Sequence, residues 1–443
     1  MLVAKDRSDR WDPSRIYVIG HQRPDTDSIA SALGYAWFLA ATGQDDVMAA
    51  RAGQPGEQAT YALKRFELAS PTLLTGVAPT FGHVATMQTS VKPDDPLPAA
   101  MSRIAQGDRI VPVVDVGGKS KGIVTSLALA RAYMAPMNMA EMLSQPCKNI
   151  AEDAPVLNHR ERILDHRTGL LRSETDDFII VNESGDYLGV ATRRRILEPP
   201  RARLILVDHN ELSQAVNDAE EAEIVGVLDH HRLGNAATAT PIPFVIDPVG
   251  STSTLVAERC KRQSLNPPRG IAGMLLSGLL SDTLVFKSPT CTDRDRAIAI
   301  WLADIAQVDA EAYGNELLRA QSGLGARTSS EILDTDRKNY EINGQSVSIG
   351  QVEVTGLQEL PERRLELLEA LAERKVRESL AFIAIMVTDV VTGRSQMLCV
   401  GEPWILTALQ FKHIHEGVYD LEEMVSRKKQ LVPILSAIIE DLR

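Results

Sequence analysis

Cysteine is scarce in this sequence, and the spacing of the few cysteines excludes two common uses of the residue. The 443 residues contain Cys147, Cys260, Cys291 and Cys399. No two of them form a Cys-x-x-Cys pair, so neither a zinc knuckle nor a dithiol redox motif is indicated. Few, scattered thiols are typical of a protein in a reducing cytosol. The charged segment from Met1 to Pro13 also lacks the apolar core of a signal peptide, so we expect a cytoplasmic protein.

The sequence also has fewer basic than acidic residues, and its apolar runs are short. The chain has 47 Lys and Arg against 59 Asp and Glu, which gives a formal net charge of −12. Broad binding to nucleic acid or to an anionic membrane needs a basic surface, so this composition argues against both. No apolar run approaches the roughly 18 residues of a membrane-spanning helix. The hydrophobic fraction of 44% is ordinary for a globular protein, and the length allows about two to four domains.

What the sequence does contain is a set of acidic and histidine residues that follow apolar runs. The set comprises His21, Asp25 and Asp27 between Gly20 and Ser28, then Asp208, then Asp229-His230-His231, and finally Asp282. A lone His or Asp in such a place is more often a cap or a turn residue than a ligand. Four such pieces together favour one shared site, because the ends of parallel strands converge although the sequence separates them.

These residue types point to metal ions that bind a phosphate. Crowded carboxylates and imidazoles repel each other and resist burial unless a cation lies among them. Oxygen and nitrogen ligands without thiolate suit manganese, cobalt or magnesium better than a structural zinc. Two such ions can clamp a phosphate and ionise a water between them.

The apolar runs predict an α/β domain that is interrupted and later resumes. A strand at 15–19 is followed by a helix at 28–39, with Asp27 or Ser28 as its cap. Three further strands are predicted between 204 and 246, before an apolar helix that leads into the last acidic piece. Strands that alternate with helices indicate a mostly parallel sheet.

The interruption is a tandem repeat. Residues 111–125 read as a strand, a glycine turn and a second strand, and residues 178–192 repeat this unit about 67 positions later. We also expect a short strand near Val84 and a helix before the first unit.

A smaller α+β domain is predicted beyond a linker at 321–328. It contains a strand at 346–354, an amphipathic helix at 361–379 and a buried strand at 381–388. The predicted domains are a catalytic domain at 1–78 and 201–320, the insertion at 79–200 and a C-terminal substrate-binding domain at 328–443.

The motifs resemble those of the DHH phosphoesterases, and within them the family II inorganic pyrophosphatases. The matching segments are Gly20-His21 with Pro24-Asp25-Thr26-Asp27-Ser28, Val207-Asp208-His209-Asn210-Glu211, Asp229-His230-His231-Arg232, Ser281-Asp282-Thr283 and Ser426-Arg427-Lys428-Lys429-Gln430. The DHH exonucleases carry instead a C-terminal Gly-Gly-Gly-His motif, which this sequence lacks. The insertion resembles a pair of CBS domains, so the whole chain resembles the CBS-domain-containing pyrophosphatases.

The resemblance implies hydrolysis of pyrophosphate, with manganese or cobalt bound to the protein and magnesium carried by the substrate. The implied metal ligands are His21 and Asp25 for one ion, Asp27 and His230 for the other, and Asp208 and Asp282 in contact with both. The implied substrate residues are His231, Lys338, Arg427 and Lys428, and the implied catalytic residues are Asp25, Asp208, Asp282 and His231. We expect Asp229 to orient a histidine rather than to bind metal. Arg23 departs from the family, which usually has Asn before the proline.

The resemblance of the insertion to CBS domains implies that it binds AMP, ADP or ATP. The candidate residues are Thr125, Thr192, Arg194 and Arg195. CBS domains usually contact the ribose through an Asp three residues after a Thr, but Ala128 and Arg195 hold those positions here and neither accepts a hydrogen bond as a carboxylate does. The arginines either grip phosphates or form an exposed basic stripe. The pair could also serve mainly as a dimer interface.

Two other functions stay open at this stage. The chain could be an exopolyphosphatase or another DHH-family phosphodiesterase. A nucleotide-sensing module with a decayed enzyme is disfavoured, because every metal position holds a competent ligand. We expect a homodimer or a higher homo-oligomer, with neither nucleic acid nor membrane among its partners.

Overall fold

The first part of the chain begins a parallel α/β layer. The computed structural model describes residues 11–234, 238, 240–320, 324, 327–354, 356–357, 359–389 and 392–441. The first elements are β1 (Ile16–Ile19), α1 (Thr26–Ala41), β2 (Val47–Arg51), α2 (Glu57–Arg65) and β3 (Thr72–Leu73). Helix α1 begins earlier than expected, because the side chain of Asp25 caps it by accepting from the backbone N–H of Ser28. The prediction that Asp27 or Ser28 caps this helix is therefore wrong.

The inserted segment consists of two similar strand–turn–strand–helix units. Its elements are α3 (Phe81–Val84), α4 (Leu97–Ala105), β4 (Ile110–Val114), β5 (Ser120–Thr125), α5 (Ser126–Tyr133), α6 (Met139–Ser144), β6 (Val156–Asn158), α7 (Ile163–Arg172), β7 (Asp177–Val181), β8 (Tyr187–Thr192) and α8 (Arg193–Leu197). Both predicted hairpins are confirmed as antiparallel pairs, β4 with β5 and β7 with β8. Their turns meet through an ion pair of 2.8 Å between Lys119 and Asp186. The strand expected near Val84 is a helix, followed only by isolated bridges at Thr86 and Val91.

The α/β layer then resumes and closes. Its second group of elements is β9 (Arg203–Val207), β10 (Glu223–Asp229), β11 (Phe244–Ile246), α9 (Thr252–Arg262), α10 (Arg269–Asp282), α11 (Asp293–Ala306) and α12 (Ala310–Ala320). The sheet has the order β11-β10-β9-β1-β2-β3 and every pair in it is parallel. Ile16 and Val18 face one apolar cluster and Tyr17 and Ile19 face another, because successive side chains of a strand point to opposite faces. The sheet is therefore covered on both sides.

The C-terminal part forms a second six-stranded sheet. Its elements are α13 (Ser329–Asp334), β12 (Lys338–Ile342), β13 (Gln345–Val354), α14 (Leu360–Arg377), β14 (Phe382–Asp389), β15 (Arg394–Gly401), α15 (Pro403–Ala408), β16 (Lys412–His415), β17 (Val418–Asp420) and α16 (Val432–Asp441). The strand order is β12-β13-β14-β15-β17-β16, with only β13 and β14 parallel. The central β14 is buried along its whole length, as expected. The predicted linker at 321–328 lies mostly outside the described residues.

Two general features follow from the described part of the chain. All four cysteines there are free thiols. None of its helices combines the length and the apolar character that crossing a membrane would require.

Candidate metal centre

The candidate site lies where three neighbouring strands end. His21 follows β1 by two residues, Asp208 follows β9 directly, and Asp229 is the last residue of β10. These strands are adjacent in a parallel sheet, so their carboxyl ends share one edge. Asp208 has a left-handed backbone, with φ of 62°, and Asp is one of the few residues that tolerate this conformation.

Asp208 stands at the centre of three overlapping groups of possible metal ligands. The groups are His21 with Asp25 and Asp208, Asp27 with Asp208, His230 and Asp282, and Asp208 with His230 and His231. The ligand atoms within each group lie within 4.8 Å of one another. The predicted metal residues are thus brought together, and Asp208 belongs to every group whereas Asp282 belongs to one.

The closest atoms across these groups are too far apart for strong hydrogen bonds. His21 Nε2 lies 3.4 Å from Asp208 Oδ2 and 3.5 Å from Asp25 Oδ2, and His230 Nε2 lies 3.5 Å from both Asp208 Oδ1 and Asp282 Oδ2. Asp208 Oδ2 and His230 Nε2 are buried without a hydrogen-bond partner. Buried polar atoms are normally paired, so these two atoms need a further ligand.

Neighbouring acceptors orient the histidines. The Nδ1 atom of His230 lies 3.0 Å from the carbonyl oxygen of Val249, which leaves Nε2 facing the carboxylates. Asp229 Oδ1 accepts from the backbone N–H groups of His230 and His231 and lies 2.8 Å from His231 Nδ1. Asp229 is in none of the three groups of possible ligands. Such outer contacts fix the orientation of metal-binding imidazoles.

Asp27 is held by the start of α9. Its carboxylate accepts from the Ser251 hydroxyl at 2.9 Å and from the backbone N–H groups of Thr252 and Ser253 at 2.6 and 3.0 Å. The positive end of the helix favours the carboxylate form, although the residue is fully buried. The hydroxyl of Thr252 also donates to Asp208 Oδ1. The opening of α9 therefore positions two of the candidate ligands.

The pKa shifts show how poorly the buried charges are balanced. Burial raises the pKa of Asp27 to about 7, and the charge of Asp208 adds to the effect. Burial, with the charges of Asp27 and Asp25, raises the pKa of Asp282 well above its usual range. Burial lowers the pKa of His21, but the close approach of the Asp208 and Asp25 carboxylates outweighs it and raises the pKa to about 10. Protons here take the place that a cation would fill.

Burial also lowers the pKa of His230, and the carboxylates around it offset that effect. The close approach of Asp208 and the charges of Asp27 and Asp208 raise this pKa to about 9. Burial raises the pKa of Asp208, but the close approach of His21 and His230 holds it below its ordinary value. The same residues that form the ligand groups thus set each other's protonation.

The predicted substrate residues divide between two places. His231, with 55% of its side chain exposed, lines a cavity of about 370 Å³ beside Asp208. Lys338 and Arg427 instead lie in the C-terminal part, each next to Ile349 of its sheet. Lys338 pairs with Ile349 in the strand register, and buried Arg427 donates to the Ile349 carbonyl and pairs with Asp336 at 3.1 Å.

Lys428 is exposed in a π-helical turn, Arg427–Leu431, that leads into α16. No hydrogen bond or ion pair to a described residue links Lys338, Arg427 or Lys428 to the ligand groups. The structure thus shows no direct bond between these three cations and the ligand groups.

The candidate nucleotide residues are partly brought together. Thr192 and Arg194 line a cavity of about 440 Å³ with Arg109, Asp176 and Arg193 among its neighbours. Thr125 and Arg195 are not among its lining residues. Thr125 caps α5 and donates to Glu152, and Arg195 donates to Thr86.

Two supporting residues were missed by reasoning from the sequence. Buried Asp295 accepts from Gly250 N, Thr254 Oγ1 and both donors of Thr292, which fixes the loop before α9. The Thr-x-x-Asp spacing of a capping box at 292–295 was the available signal. Asn210 donates to Asp229 Oδ2 at 2.6 Å, and no local pattern marks that role.

Comparisons with known proteins agree with this geometry. The model of the DHH family, N-terminal domain, matches residues 15–279, and the model of the DHHA2 domain matches residues 315–438. A probable manganese-dependent inorganic pyrophosphatase of Streptococcus equi subsp. zooepidemicus is 38% identical over 256 residues, which are 57% of this chain and 82% of that protein.

Two solved structures are also similar. A Methanococcus jannaschii protein described as a candidate family II inorganic pyrophosphatase is 26% identical, with 96% of this chain and 99% of that chain covered and a TM-score of 0.45. A CBS domain-containing protein of unknown function from Bacillus anthracis is 18% identical, with 28% and 92% covered and a TM-score of 0.25. By the DHH model, which spans more than half of its residues, and by its streptococcal relative, the chain belongs to the DHH family and, within it, to the manganese-dependent inorganic pyrophosphatases.

Proposed function

We propose that this chain hydrolyses inorganic pyrophosphate to two phosphates with bound manganese. The observation that carries the proposal is the three overlapping ligand groups that share Asp208, with buried Asp208 Oδ2 and His230 Nε2 left unpaired. The donor set of carboxylate oxygens and imidazole nitrogens, without thiolate, fits manganese or cobalt. The streptococcal relative of 38% identity is named for manganese-dependent pyrophosphate hydrolysis, which supports the same conclusion.

Two ions would be held by the first two ligand groups. One would take His21, Asp25 and Asp208, and the other would take Asp27, Asp208, His230 and Asp282. When bound, such ions lower the pKa of a water and neutralise charge that develops on phosphate oxygens. A magnesium ion carried by pyrophosphate would reduce the charge of the substrate before it enters.

The residues of the chain itself would bind and orient the substrate. Asp229 holds Nδ1 of His231, a residue that lines the cavity, so Nε2 would be the atom that donates to a phosphate oxygen. Lys338, Arg427 and Lys428 would stabilise the remaining oxygens, since Arg offers a planar fork and Lys a point charge. Because these three cations are not at the ligand groups, they would arrive when the C-terminal domain approaches the first domain over the substrate.

The insertion would regulate this activity by binding adenine nucleotides. The support is the repeated unit of two hairpins and the cavity at Thr192 and Arg194. Its arginines pair with Asp176 and Glu198, and a phosphate would take the place of these carboxylates. The insertion contacts the first domain directly, since Arg162 pairs with Asp218 and Glu221 at 3.0 and 2.6 Å. A bound nucleotide would act on the first domain through this interface.

The proposal also covers the location of the protein in the cell and its oligomeric state. Four free and scattered cysteines suit a reducing compartment, so we propose a cytoplasmic location. We further propose that the protein assembles as a homodimer or higher homo-oligomer.

The test of the proposed function is a comparison of substrates. Purified protein, loaded with Mn²⁺ or Co²⁺, is given magnesium pyrophosphate, tripolyphosphate or a dinucleotide, and released phosphate is measured. We expect rapid release from pyrophosphate that a chelator abolishes. Release from tripolyphosphate alone would instead assign an exopolyphosphatase, and cleavage of the dinucleotide alone a phosphodiesterase.

A further inference from the structure

We propose that Arg23 is a further substrate-binding residue, whose guanidinium binds phosphoryl oxygens at the edge of the ligand groups. The inference rests on the proposed pyrophosphatase function and adds a residue to the same site. It would place one substrate cation on the first domain itself, independent of the cations of the C-terminal domain.

The backbone around Arg23 is fixed on both sides. The N–H of Gln22 donates to the Gln214 carbonyl at 2.8 Å, and the N–H of Gly56 donates to the Pro24 carbonyl at 3.3 Å. Because a proline follows, the backbone of Arg23 is also restricted to extended conformations. The loop therefore presents its side chain from a defined position, which lowers the entropy lost when a ligand binds.

The guanidinium of Arg23 is available. The residue is exposed and makes no hydrogen bond or ion pair with any described residue. Other arginines of this acidic chain are paired, such as Arg162 with Glu221 and Arg294 with Glu258. An unpaired guanidinium two residues from a candidate metal ligand leaves all five of its N–H donors free.

The cavity beside Arg23 suits an anion. Its lining residues are His21, Gln22, Arg23, Asp208, Ser213, Gln214 and His231. Apart from Asp208, which belongs to the ligand groups, this lining contains no carboxylate. It offers a guanidinium, two imidazoles, two amides and a hydroxyl, all of which can donate hydrogen bonds. A phosphate next to the ligand groups matches these donors, and Arg binds phosphate through two parallel hydrogen bonds.

Two simpler roles for Arg23 predict different experimental results. A solvated surface arginine would affect neither substrate nor metal. An arginine that acts on the ions through its charge would weaken manganese binding, because like charges repel. A substrate-binding arginine changes the affinity for phosphate anions and leaves manganese affinity unchanged.

The experiment compares Arg23→Asn with Arg23→Lys and with a control, Arg319→Asn, at an exposed position of α12. We expect Arg23→Asn to raise KM for magnesium pyrophosphate about tenfold with kcat within about twofold, the effect of one charge-assisted contact made equally in ground and transition states. Arg23→Lys should raise KM about threefold, because it keeps the charge and loses the fork. Arg319→Asn should match the unmodified protein.

A binding measurement separates this inference from the proposed function. Imidodiphosphate, a pyrophosphate analogue with a bridging nitrogen, is titrated calorimetrically into the manganese-loaded protein, and manganese affinity is measured separately. We expect Arg23→Asn to weaken analogue binding about tenfold. If the protein releases no phosphate but this loss is seen, the inference stands and the proposed function fails. If the protein hydrolyses pyrophosphate and Arg23→Asn equals the control, or changes only manganese affinity, the inference is wrong.

Discussion

At the scale of single residues, Asp208 is the side chain on which the site depends most. It lies in all three ligand groups, is buried, and carries one oxygen without a hydrogen-bond partner. His21 and His230 approach it from different sides. A change at this position therefore removes a ligand from both proposed ions at once.

We predict that Asp208→Asn abolishes activity without unfolding the protein. Asn has nearly the same shape and tolerates the left-handed backbone found here. It carries no negative charge, so kcat should fall by more than about a hundredfold, the loss seen when even an outer contact of a metal ligand is removed. Phosphate release and the thermal midpoint are the two measurements. Activity close to that of the unmodified protein would contradict the assignment of two metal ions that share Asp208.

The candidate ligands that the structure brings together could be proposed from the sequence, but the residues that hold them in place could not. His21 and Asp208 stand just after apolar strands, a position that parallel sheets use for sites. The carbonyl of Val249 that orients His230 comes from a distant segment with no polar pattern of its own. Asp25 is predicted as a metal ligand and a catalytic residue, yet it also caps α1. Contacts of this kind depend on three-dimensional packing rather than on local spacing.

At the scale of elements, α10 packs unusually close to α9 and α1 at Gly278. A Cβ added there would lie 2.4 Å from Ser253 Oγ and 2.6 Å from Asp27 Oδ1. The absence of a side chain at this position thus allows Asp27 to sit between the two helices. The packing of these helices and the position of Asp27 therefore both depend on Gly278.

We predict that Gly278→Ala lowers both stability and metal binding. The added methyl group overpacks the core, which costs about 1–3 kcal/mol in the free energy of unfolding, and it displaces Asp27. The matched control is Gly169→Ala in α7, where an added Cβ meets nothing within 4 Å. That control should be neutral or up to about 1 kcal/mol more stable, since Ala favours helix. Denaturant unfolding and manganese titration measure both effects, and equal behaviour of the two variants would contradict the packing argument.

The strands that could not be predicted from the sequence lie mainly at the edges of the C-terminal sheet. β12 and β16 are its two outermost strands, and β17 lies next to β16. Most residues of β12 and β16 are exposed and few are apolar, as is common where an edge strand must avoid pairing with another chain. Such strands lack the continuous apolar run that made β14 predictable. Lys338, a predicted substrate residue, is the first residue of β12, a strand that the sequence does not predict.

At the scale of the whole molecule, the anionic ligand groups belong to the first sheet, whereas Lys338, Arg427 and Lys428 belong to the C-terminal part of the chain. The carboxylates surround the ends of β1, β9 and β10, whereas Lys428 lies beyond the second sheet. In the proposed mechanism, pyrophosphate would enter before these cations meet it. Because they belong to different parts of the chain, the two sets of residues can be tested independently.

We predict that Lys428→Ala raises KM for pyrophosphate about tenfold, as expected for the loss of one charge-assisted contact, and leaves manganese affinity unchanged. The matched control is Lys429→Ala, the next exposed lysine of the same helical turn. Steady-state kinetics and manganese titration give the two quantities. If Lys429→Ala produces the same change in KM, the effect is general electrostatics, and the specific contact proposed for Lys428 is refuted.

We predict that AMP, ADP or ATP binds the insertion and changes the rate of pyrophosphate hydrolysis. Arg194→Ala should weaken nucleotide binding about tenfold, because an arginine contact with phosphate is charge-assisted. Arg172→Ala, at an exposed arginine of α7, serves as the control. Isothermal titration measures the binding. An absence of heat with all three nucleotides would remove the regulatory role and favour a structural role for the insertion.

The most direct test of the account is phosphate release from magnesium pyrophosphate by manganese-loaded protein, before and after chelation, with Asp208→Asn alongside. The account predicts rapid release by the loaded protein, loss of release on chelation with recovery when manganese is restored, and no release by the folded variant. Release that survives chelation, or an Asp208→Asn protein as active as the unmodified one, would contradict it.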